Sequence, residues 1–360
     1  MKTLLYTQEY PPFKGGVANY YEHLAKNWPA GEEIFVLPKK CSGRIWQYFC
    51  QFYHLFRAIR KNRIDYILVG QILPLGSLVH ALWRLKRIKY AVFLHGMDLT
   101  FAFRHPRKAW IAKHILRDAS QIICANSYTA NLLKKNWPTL AAKTIIVNPG
   151  VSEYKEAEQA VPEQRERLRR QYFEQLENKT ILLSLGRLVK RKGFDSVLAV
   201  LKDLPADLAA KIVYVIIGQG PEEERLRALA TNQVIFVGAA TEAEKWAWLE
   251  LADIFIMPAR DLRDLDGDFE GFGIVYLEAN LCGRPVIAGA SGGVSDAVVD
   301  GLNGLLVDPD NLGEIRDAII KLASDKELRA KLGRQGQERA QTKFNWTHQA
   351  KDVFAGIKNN

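Results

Sequence analysis

Cysteine is scarce in this sequence: 360 residues contain four, at positions 41, 50, 124 and 282, and no two form a C-x-x-C pair. Four cysteines are too few to stabilise a chain of this size by disulfide bonds, which excludes a disulfide-built scaffold. We therefore expect a reducing compartment. No basic-then-apolar leader opens the sequence, so we do not expect secretion. Low-complexity stretches are missing as well, and the content of 48% hydrophobic and 25% charged residues is typical of a soluble globular protein.

A long uninterrupted apolar run is also missing. The nearest candidate, residues 66–83, carries no charge over 18 residues, which is close to the lower limit for a membrane span. Gly70, Pro74 and Gly76 interrupt it, so it divides better into a strand (66–70), a loop (71–75) and an amphipathic helix (76–87). We therefore expect no transmembrane helix here.

Acidic residues are few in the first 150 positions. That segment has 22 lysines and arginines against 7 aspartates and glutamates, a formal charge of +15, whereas the remaining 210 residues carry −5. A surplus of one sign on one half predicts an anionic partner for it: a membrane lipid, a nucleic acid or a phosphorylated substrate. A merely basic, solvated surface is the alternative.

Short apolar runs alternate with helical patterns along the whole chain. The runs are 3–7, 33–37, 66–70, 90–94, 121–125, 144–147, 180–185, 212–217, 234–237, 254–257, 285–288 and 304–307. Nearly continuous Val, Ile and Leu between helices predicts an α/β protein with two doubly wound, Rossmann-like parallel sheets.

The polar stretch 152–178 separates the two sets of runs. We predict an N-terminal domain at 1–160, a second domain at 161–345, and a C-terminal helix at 346–360 that packs back on the first domain. Ligands bind beyond the carboxyl ends of strands in such sheets, so both domains would present loops to a cleft between them.

Two loops of the first domain carry candidate ligand groups. Gly15 and Gly16 precede a helix, where a bare backbone can approach an anion at the helix N-terminus; an ordinary turn is the alternative. His95 follows the fourth strand, where it could hydrogen-bond a substrate hydroxyl or transfer a proton. A structural histidine is the alternative.

In the second domain, cations follow the first strand. Arg187 comes after Gly186, and the basic run at 190–192 follows. Arg187 and Lys192 could converge on a phosphate, the first as a bidentate fork and the second as a point charge. A solvated basic turn is the alternative. The G-x-G that starts at Gly218 is weaker, because the acidic helix start after it disfavours a phosphate.

Two glutamates flank the most specific pattern, E-G-F-G-I-V-Y-L-E at 270–278. Glu270 precedes a helix start, and Glu278 lies about two turns inside, roughly 9 Å along the axis. The first-turn amides between them would form an anion site. Carboxylates on either side of an anion site suit a nucleotide sugar, in which a diphosphate joins a sugar to a ribose. We interpret the acidic run at 264–268 as a loop and expect no metal ion there.

These motifs resemble those of the family-four retaining glycosyltransferases of the GT-B fold. The matching segments are G-R-L-V-K-R-K-G at 186–193, E-G-F-G-I-V-Y-L-E at 270–278, G-R-P-V-I-A at 283–288, S-G-G at 291–293, P-P-F-K-G-G at 11–16, H-G-M-D at 95–98 and V-N-P-G-V at 147–151. The resemblance therefore covers nearly the whole chain. One departure is P-G-V-S at 149–152, where many members have P-N-G-V-D.

The resemblance implies a role for each matched position. Glu270 would hydrogen-bond the donor sugar and Glu278 the ribose. Arg187 and Lys192 would neutralise the diphosphate as it leaves, and His95 would face the sugar from the other domain. The remaining donor-side positions are Gly15, Gly16, Gly186, Gly218, Gly271, Phe272, Gly273 and Ile274. The family retains the anomeric configuration by front-face attack, which needs no metal, cofactor or protein nucleophile.

The segment at 264–278 is similar to that of bacterial mannosyltransferases that use GDP-mannose on phosphoinositide-type or polyprenyl-linked acceptors. This implies GDP-mannose as donor and a lipid-linked or glycan acceptor. Users of UDP-glucose, UDP-N-acetylglucosamine or UDP-galactose share the core motifs and remain alternatives. A nucleotide-sugar epimerase, a pyridoxal phosphate-dependent phosphorylase and a non-catalytic nucleic-acid or membrane binder are rivals. We expect no nucleic-acid partner, because carboxylates repel phosphate backbones.

Residues 44–63 combine an apolar stripe with cations. Residues 45, 49, 52, 56 and 59 recur at helical spacing. The cations near the end of this stretch, and a second group further on, are Arg57, Arg60, Lys61, Arg63, Arg104, Arg107 and Lys108. This pattern suits anchoring at an anionic membrane surface, whereas a helix packed on the sheet is the alternative. We therefore expect a cytoplasmic protein bound peripherally to the inner face of the membrane.

Overall fold

The computed structural model describes residues 1–13, 15–38, 46–151, 160–262 and 269–358. The chain divides into two compact units, one of residues 1–150 and 345–360 and the other of residues 151–344. The changes of unit therefore fall at 150/151 and 344/345, against 160/161 and 345/346 in the division expected from the sequence.

A six-stranded parallel sheet forms the centre of the first unit. Its strands are β1 (Lys2–Thr7), β2 (Glu33–Pro38), β3 (Tyr66–Val69), β4 (Lys89–Leu94), β5 (Gln121–Cys124) and β6 (Thr144–Ile146). They lie in the order β2-β1-β3-β4-β5-β6. The chain moves from β1 outward to β2 and then crosses to β3, so the strand order reverses between β1 and β3. The loops after these two strands therefore flank the crevice where ligands of such sheets bind.

Helices cover both faces of this sheet. They are α1 (Gly16–Lys26), α2 (Trp46–Asn62), α3 (Ser77–Lys86), α4 (Met97–Phe103), α5 (Pro106–Asp118) and α6 (Ser127–Asn136). Consecutive strand residues alternate between the two faces, so Leu4 joins one apolar cluster and Leu5 the other. This alternation explains why the strands read as unbroken apolar runs.

The second unit repeats this plan. Its strands are β7 (Thr180–Leu185), β8 (Ile212–Ile217), β9 (Val234–Gly238), β10 (Ile254–Met257), β11 (Val286–Gly289) and β12 (Gly304–Val307), in the order β12-β11-β10-β7-β8-β9. Its helices are α7 (Val161–Gln171), α8 (Phe173–Leu176), α9 (Phe194–Leu201), α10 (Ala206–Ala209), α11 (Glu223–Leu229), α12 (Glu242–Leu251), α13 (Ile274–Leu281), α14 (Val294–Ala297), α15 (Leu312–Ser324) and α16 (Lys326–Lys343). Here the strand order reverses between β7 and β10.

The last helix, α17 (Trp346–Lys358), belongs to the first unit. The Trp346 ring meets the Tyr20 ring edge-on at 5.2 Å and stacks on His23 at 5.4 Å. A Cβ at Gly150 would lie 2.6 Å from the Trp346 ring, so only glycine lets the chain pass there.

The predicted fold class is confirmed, since the twelve apolar runs coincide with the twelve parallel strands to within one residue. Residues 66–83 divide as expected, with β3 followed by an irregular segment at Ile72–Gly76, in which Leu73 is extended, and then by α3. Among the described residues, no helix is both long enough and apolar enough to cross a bilayer.

The stripe expected on α2 is confirmed only in part. Phe52, Phe56 and Ile59 pack against the core, whereas Phe49 is 70% exposed. Leu55, which the predicted stripe omitted, is fully buried. Residue 45 lies outside the described residues. The buried face of α2 is therefore rotated away from Phe49.

Candidate active site

The reversal of strand order in the second sheet brings two loops together. The loop after β7 carries Arg187, Arg191 and Lys192, and the segment after β10 leads to Glu270. Glu270 is buried, and its Oε2 accepts from Lys192 Nζ at 2.7 Å and from the Arg191 guanidinium at 2.8 Å. The topology thus converts residues almost 80 positions apart into one charged cluster.

The Glu270 carboxylate is held by one of its two oxygens. Burial by itself would raise the pKa of Glu270, but the charges of Lys192 and Arg191 outweigh it and hold the pKa below its usual value. Both cations contact Oε2, and within the described ranges no group donates to Oε1. An ionised carboxylate with one free oxygen can accept a hydrogen bond from a hydroxyl.

Lys192 lies against the glycine turn that precedes Arg187. A Cβ at Gly186 would be 3.9 Å from Lys192 Nζ. Arg187 itself is exposed, and no ion pair to it occurs in the described part of the chain. The two cations predicted to share a phosphate therefore differ: Lys192 is engaged with Glu270, whereas Arg187 is available.

Close backbone contacts fix the loop after β7. The Gly218 and Gly220 positions press on it, because a Cβ at Gly218 would lie 1.9 Å from the Gly186 carbonyl oxygen and one at Gly220 2.3 Å from that of Leu188. The Leu188 amide donates to the Gln219 carbonyl at 3.0 Å. The backbone of the G-x-G motif therefore packs against the loop after β7 and fixes its position.

The S-G-G motif holds the backbone of Glu270. The Gly293 amide donates to the Glu270 carbonyl at 3.1 Å, and Gly292 has φ +55°. A Cβ at Gly292 would lie 2.2 Å from that same carbonyl oxygen. Glycine at 292 is thus required for the loop after β11 to support Glu270.

Glycine also shapes the start of α13. Gly273 caps the helix with φ +79°, and a Cβ there would lie 2.3 Å from the Tyr276 ring. Phe272 is buried and meets the Phe344 ring at 5.8 Å. Gly271 to Ile274 therefore form a tight entry to the helix. The Tyr276 amide donates to the Gly273 carbonyl at 3.0 Å, and the amides of the two residues before it lie at a helix N-terminus, which suits an anion.

Glu278 forms an ion pair with Lys245. Its Oε1 accepts from Lys245 Nζ at 2.9 Å, and that ammonium also pairs with Glu242 at 2.8 Å. Lys245 lies on α12, the helix before β10. Both glutamates of the E-x7-E pattern are thus paired to a buried or nearly buried cation.

In the first unit, a hydrogen bond with Tyr21 orients the His95 ring. The Tyr21 hydroxyl donates to the Gly70 carbonyl at 2.6 Å and lies 2.7 Å from His95 Nε2. Because Tyr21 has one hydroxyl proton, Nε2 must be the donor to it, and Nδ1 keeps its lone pair. Burial lowers the pKa of His95 to about 4, so the ring is neutral at pH 7.

The glycine pair of the first unit is exposed. Gly15 precedes α1, which begins at Gly16, and a Cβ at Gly16 would meet nothing within 4 Å. Packing among the described residues therefore does not require glycine at 16. The cations predicted for the acceptor or membrane side all lie in this unit: Arg57, Arg60, Lys61, Arg63, Arg104 and Arg107 are exposed, and Lys108 is partly buried.

Sequence reasoning assigned no role to Arg191, Lys245 or Tyr21. Arg191 stands in the same basic run as Lys192, and the run alone did not show which members face Glu270. Lys245 and Tyr21 act on partners more than 30 positions away. Residues 264–268 lie outside the described residues. Within the ranges described, no group of three or more His, Cys, Asp or Glu side chains could hold a metal ion.

Two family models match the chain. One, described as "Glycosyl transferases group 1", matches residues 164–339, and the other, "Glycosyltransferase Family 4", matches residues 17–155. The chain belongs to the family-four glycosyltransferases. In this glycosyltransferase, the first model contains the Glu270 cluster and the second contains His95.

Named relatives resemble the glycosyltransferase over almost its full length. A "GDP-mannose-dependent alpha-(1-6)-phosphatidylinositol monomannoside mannosyltransferase" of Mycolicibacterium smegmatis is 28% identical, with 95% of this chain and 94% of the relative covered. A "GDP-mannose-dependent monoacylated alpha-(1-6)-phosphatidylinositol monomannoside mannosyltransferase" of Corynebacterium glutamicum is also 28% identical, with 96% and 94% covered.

Solved structures share the fold of this glycosyltransferase. Anabaena HepE in complex with UDP superposes with a TM-score of 0.79 at 18% identity, with both chains covered completely. The sucrose-phosphate synthase of Thermosynechococcus elongatus superposes with a TM-score of 0.76 at 19% identity, covering 100% of this chain and 99% of that one. These similarities support the predicted GT-B architecture.

Proposed function

We propose that this glycosyltransferase moves mannose from GDP-mannose to a lipid-linked or glycan acceptor and retains the α configuration. The observation that carries the proposal is the Glu270 cluster, an ionised carboxylate with a free oxygen beside Lys192 and Arg191. It offers an acceptor for a sugar hydroxyl next to cations for a phosphate, as a nucleotide sugar requires.

The donor would lie along the loop after β7 and the start of α13. Glu270 Oε1 accepts from a sugar hydroxyl, and the exposed Arg187 and the Lys192 ammonium contact the diphosphate. The first-turn amides of α13 add donors to the same phosphates. Glu278, two turns further along the helix, accepts from the ribose. These cations stabilise the negative charge that grows on the diphosphate as the glycosidic bond breaks, so they accelerate the chemical step and do not only bind substrate.

Retention would follow from front-face attack. A donor phosphate oxygen takes the proton of the acceptor hydroxyl, which attacks the anomeric carbon on the face that the diphosphate leaves. In this scheme the protein supplies charge and position, and no metal ion takes part. The one-bond ¹³C–¹H coupling at the anomeric carbon of the product distinguishes an α from a β mannoside, and transfer rates with and without EDTA test the metal. A β-linked first product or abolition by EDTA would contradict these two points.

The relatives favour the donor. Both are described as GDP-mannose-dependent mannosyltransferases and share 28% of their residues with this chain. HepE was solved with UDP, but at 18% identity it supports the fold alone. UDP-glucose, UDP-N-acetylglucosamine and UDP-galactose are therefore the alternative donors.

A thermal-shift panel of GDP and UDP sugars tests the donor. A ligand that binds the folded state alone raises stability by about 2.7 kcal/mol at a hundredfold excess over Kd. We expect GDP-mannose to raise the melting temperature and the UDP sugars to leave it unchanged. The Glu270→Gln variant, with the same shape but no charge, should lose the response. A response to a UDP sugar alone would transfer the proposal to that donor, and no response to any sugar would contradict the function.

We further propose that the first unit binds an anionic membrane surface through α4 and α5. Residues 99–117 contain no acidic residue. Arg104 and Arg107 are exposed there beside large apolar side chains, with Trp110 64% and Phe101 48% exposed. Lys108 Nζ lies 3.7 Å from the centre of the Phe101 ring. Aromatic side chains among cations are typical of surfaces that enter the headgroup layer.

A further inference from the structure

The second glutamate of the E-x7-E pattern is held by a neighbouring helix. Lys245 on α12 donates to Glu278 Oε1 on α13, and among the described residues no group contacts Glu278 Oε2. The Lys245 side chain is 15% exposed and that of Glu278 18%, so the pair lies mostly out of water. Removing one partner of such a pair leaves a poorly solvated charge, which favours keeping them together.

Lys245 also pairs with a second carboxylate, that of Glu242, which is much more exposed to solvent than Glu278. Glu242 is 74% exposed and one turn before Lys245 on the same helix. An exposed pair of this kind contributes little, because water and salt screen it. The bond that orients the lysine is therefore the one to Glu278, and Glu242 provides a natural control.

Beside a bound nucleotide, Lys245 would compensate the negative charge of Glu278. A diphosphate next to two bare carboxylates would be repelled by both. Glu270 is already compensated by Lys192 and Arg191, and Lys245 compensates Glu278 in the same way. The bond through Oε1 also fixes the plane of a carboxylate that could otherwise rotate freely, so its free Oε2 keeps one direction.

We propose that Lys245 is a positioning residue for donor binding: it orients the Glu278 carboxylate toward the ribose hydroxyls of the nucleotide and offsets its charge beside the diphosphate. This inference rests on the proposed function, in which Glu278 meets the ribose. Lys245 acts through Glu278 and does not touch the reacting atoms.

The test compares GDP with 2′-deoxy-GDP by isothermal titration calorimetry. A hydrogen bond to a charged group is worth about a tenfold change in affinity or more. We expect wild-type protein to bind GDP roughly tenfold more tightly than the deoxy form. In Lys245→Gln this ratio should fall to about one. GDP then loses the hydrogen bond from its 2′-hydroxyl to Glu278, whereas 2′-deoxy-GDP never forms that bond. In steady-state kinetics, the KM for the donor should rise while kcat changes little.

Three further variants decide between outcomes. Glu242→Gln should keep the ratio, and Glu278→Gln should abolish it. Lys245→Arg, which keeps the charge, should restore part of the ratio and serves if the glutamine variant does not fold. Melting curves without ligand establish that each variant is folded.

The two possible failures are distinguishable. If Glu278→Gln abolishes the ratio while folded Lys245 variants keep it, the inference on Lys245 is wrong and the ribose contact stands. If Glu278→Gln keeps the ratio, the ribose assignment of the proposed function is wrong and the inference falls with it. Equal loss of GDP and 2′-deoxy-GDP affinity in Lys245→Gln would leave the ratio unchanged, and it would overturn the orienting role of Lys245.

Discussion

Lys192 and Arg191 both contact the same carboxylate oxygen of Glu270. Because of this double contact, a substitution of one cation can lower activity without a large loss of stability. A buried carboxylate that loses its only cation destabilises a protein by 3 to 5 kcal/mol in typical cases. Here the loss of Lys192 leaves Arg191 at 2.8 Å, so Glu270 stays compensated.

The Lys192→Ala variant should therefore fold but not work. We expect transfer to fall about 10²–10³-fold, the usual effect of removing one group that stabilises transition-state charge. The free energy of unfolding should fall by only about 1–2 kcal/mol. Initial rates and urea denaturation measure the two effects. Lys190→Ala, an exposed lysine in the same turn, is the control and should change neither. Near-normal transfer by Lys192→Ala would refute the role of Lys192.

His95 should make the protein less stable in acid. Its pKa is about 4 in the folded chain against 6.5 in the unfolded chain, so between these values the unfolded chain binds a proton that the folded chain does not. Stability that is present above pH 6.5 is then lost as the pH falls toward 4. Relative to His95→Asn, wild-type protein should lose roughly 2–3 kcal/mol between pH 7 and pH 4.5. Urea denaturation at both pH values measures it, and an NMR titration of His95 near pH 6.5 would contradict it.

The sequence singled out candidate site residues but did not show what they contact. Glu270, Glu278 and Lys192 stand in a dense local pattern, so they were predicted from their spacing. Arg191, Lys245 and Tyr21 act through contacts that packing creates, and no local pattern marks a lysine on α12 as the partner of a glutamate on α13. The roles carried over from the family resemblance remain predictions.

At the scale of elements, the turn between β7 and α9 sets the position of Lys192. Gly193 ends that turn with φ +73°, and a Cβ there would lie 2.1 Å from the Pro258 carbonyl oxygen. The turn thus presses on the segment after β10. The Arg260 amide in that segment donates to the Arg191 carbonyl at 2.7 Å, so the two loops are fixed to each other.

Gly193→Ala should destabilise the second unit more than an ordinary glycine substitution. A left-handed conformation costs an alanine about 1–2 kcal/mol, and relief of the backbone contact adds to it, for a total of about 3 kcal/mol. Gly301→Ala is the matched control, because Gly301 has φ +69° with nothing within 4 Å of its Cβ position. It should cost about 1–2 kcal/mol, the conformational part alone. Chemical denaturation gives both values, and equal losses would show that the contact with Pro258 relaxes freely.

Strands were predicted more accurately than helix faces. A parallel strand is buried on both sides, so its apolar run marks it directly. A helix has an apolar stripe whose edge depends on its neighbours, and on α2 the stripe turned out to include Leu55 and to leave Phe49 exposed. Helical spacing alone predicted the repeat of the apolar residues, but it did not predict which face of the helix is turned toward the sheet.

For the whole molecule, the division of charge is the feature that bears on partners. The first 150 residues carry +15 and the rest −5. The donor-binding cations proposed above lie in the acidic half, so the basic surplus of the first unit is not explained by the donor phosphates. The exposed cations and aromatic rings of α4 and α5 are the surface we propose for the membrane.

Arg104→Gln combined with Arg107→Gln should weaken binding to anionic vesicles. Each cation near such a surface is worth about 1 kcal/mol, so the pair should lower the partition coefficient roughly 30-fold at low salt. Arg170→Gln with Arg334→Gln, two exposed positions of the second unit, is the charge-matched control and should change it little. Flotation with vesicles with and without anionic lipid measures this. Equal binding to neutral and anionic vesicles would contradict an electrostatic contribution.

The return of α17 to the first unit has a consequence for biosynthesis. Trp346, Ala350 and Val353 complete an apolar cluster with Leu5 and Tyr20, yet they follow all of residues 151–344 along the chain. As the polypeptide leaves the ribosome, the second unit is whole before the first can be. The part of the N-terminal sheet face that α17 covers therefore stays exposed through the synthesis of almost 200 residues, and the half of the protein that is made first is finished last.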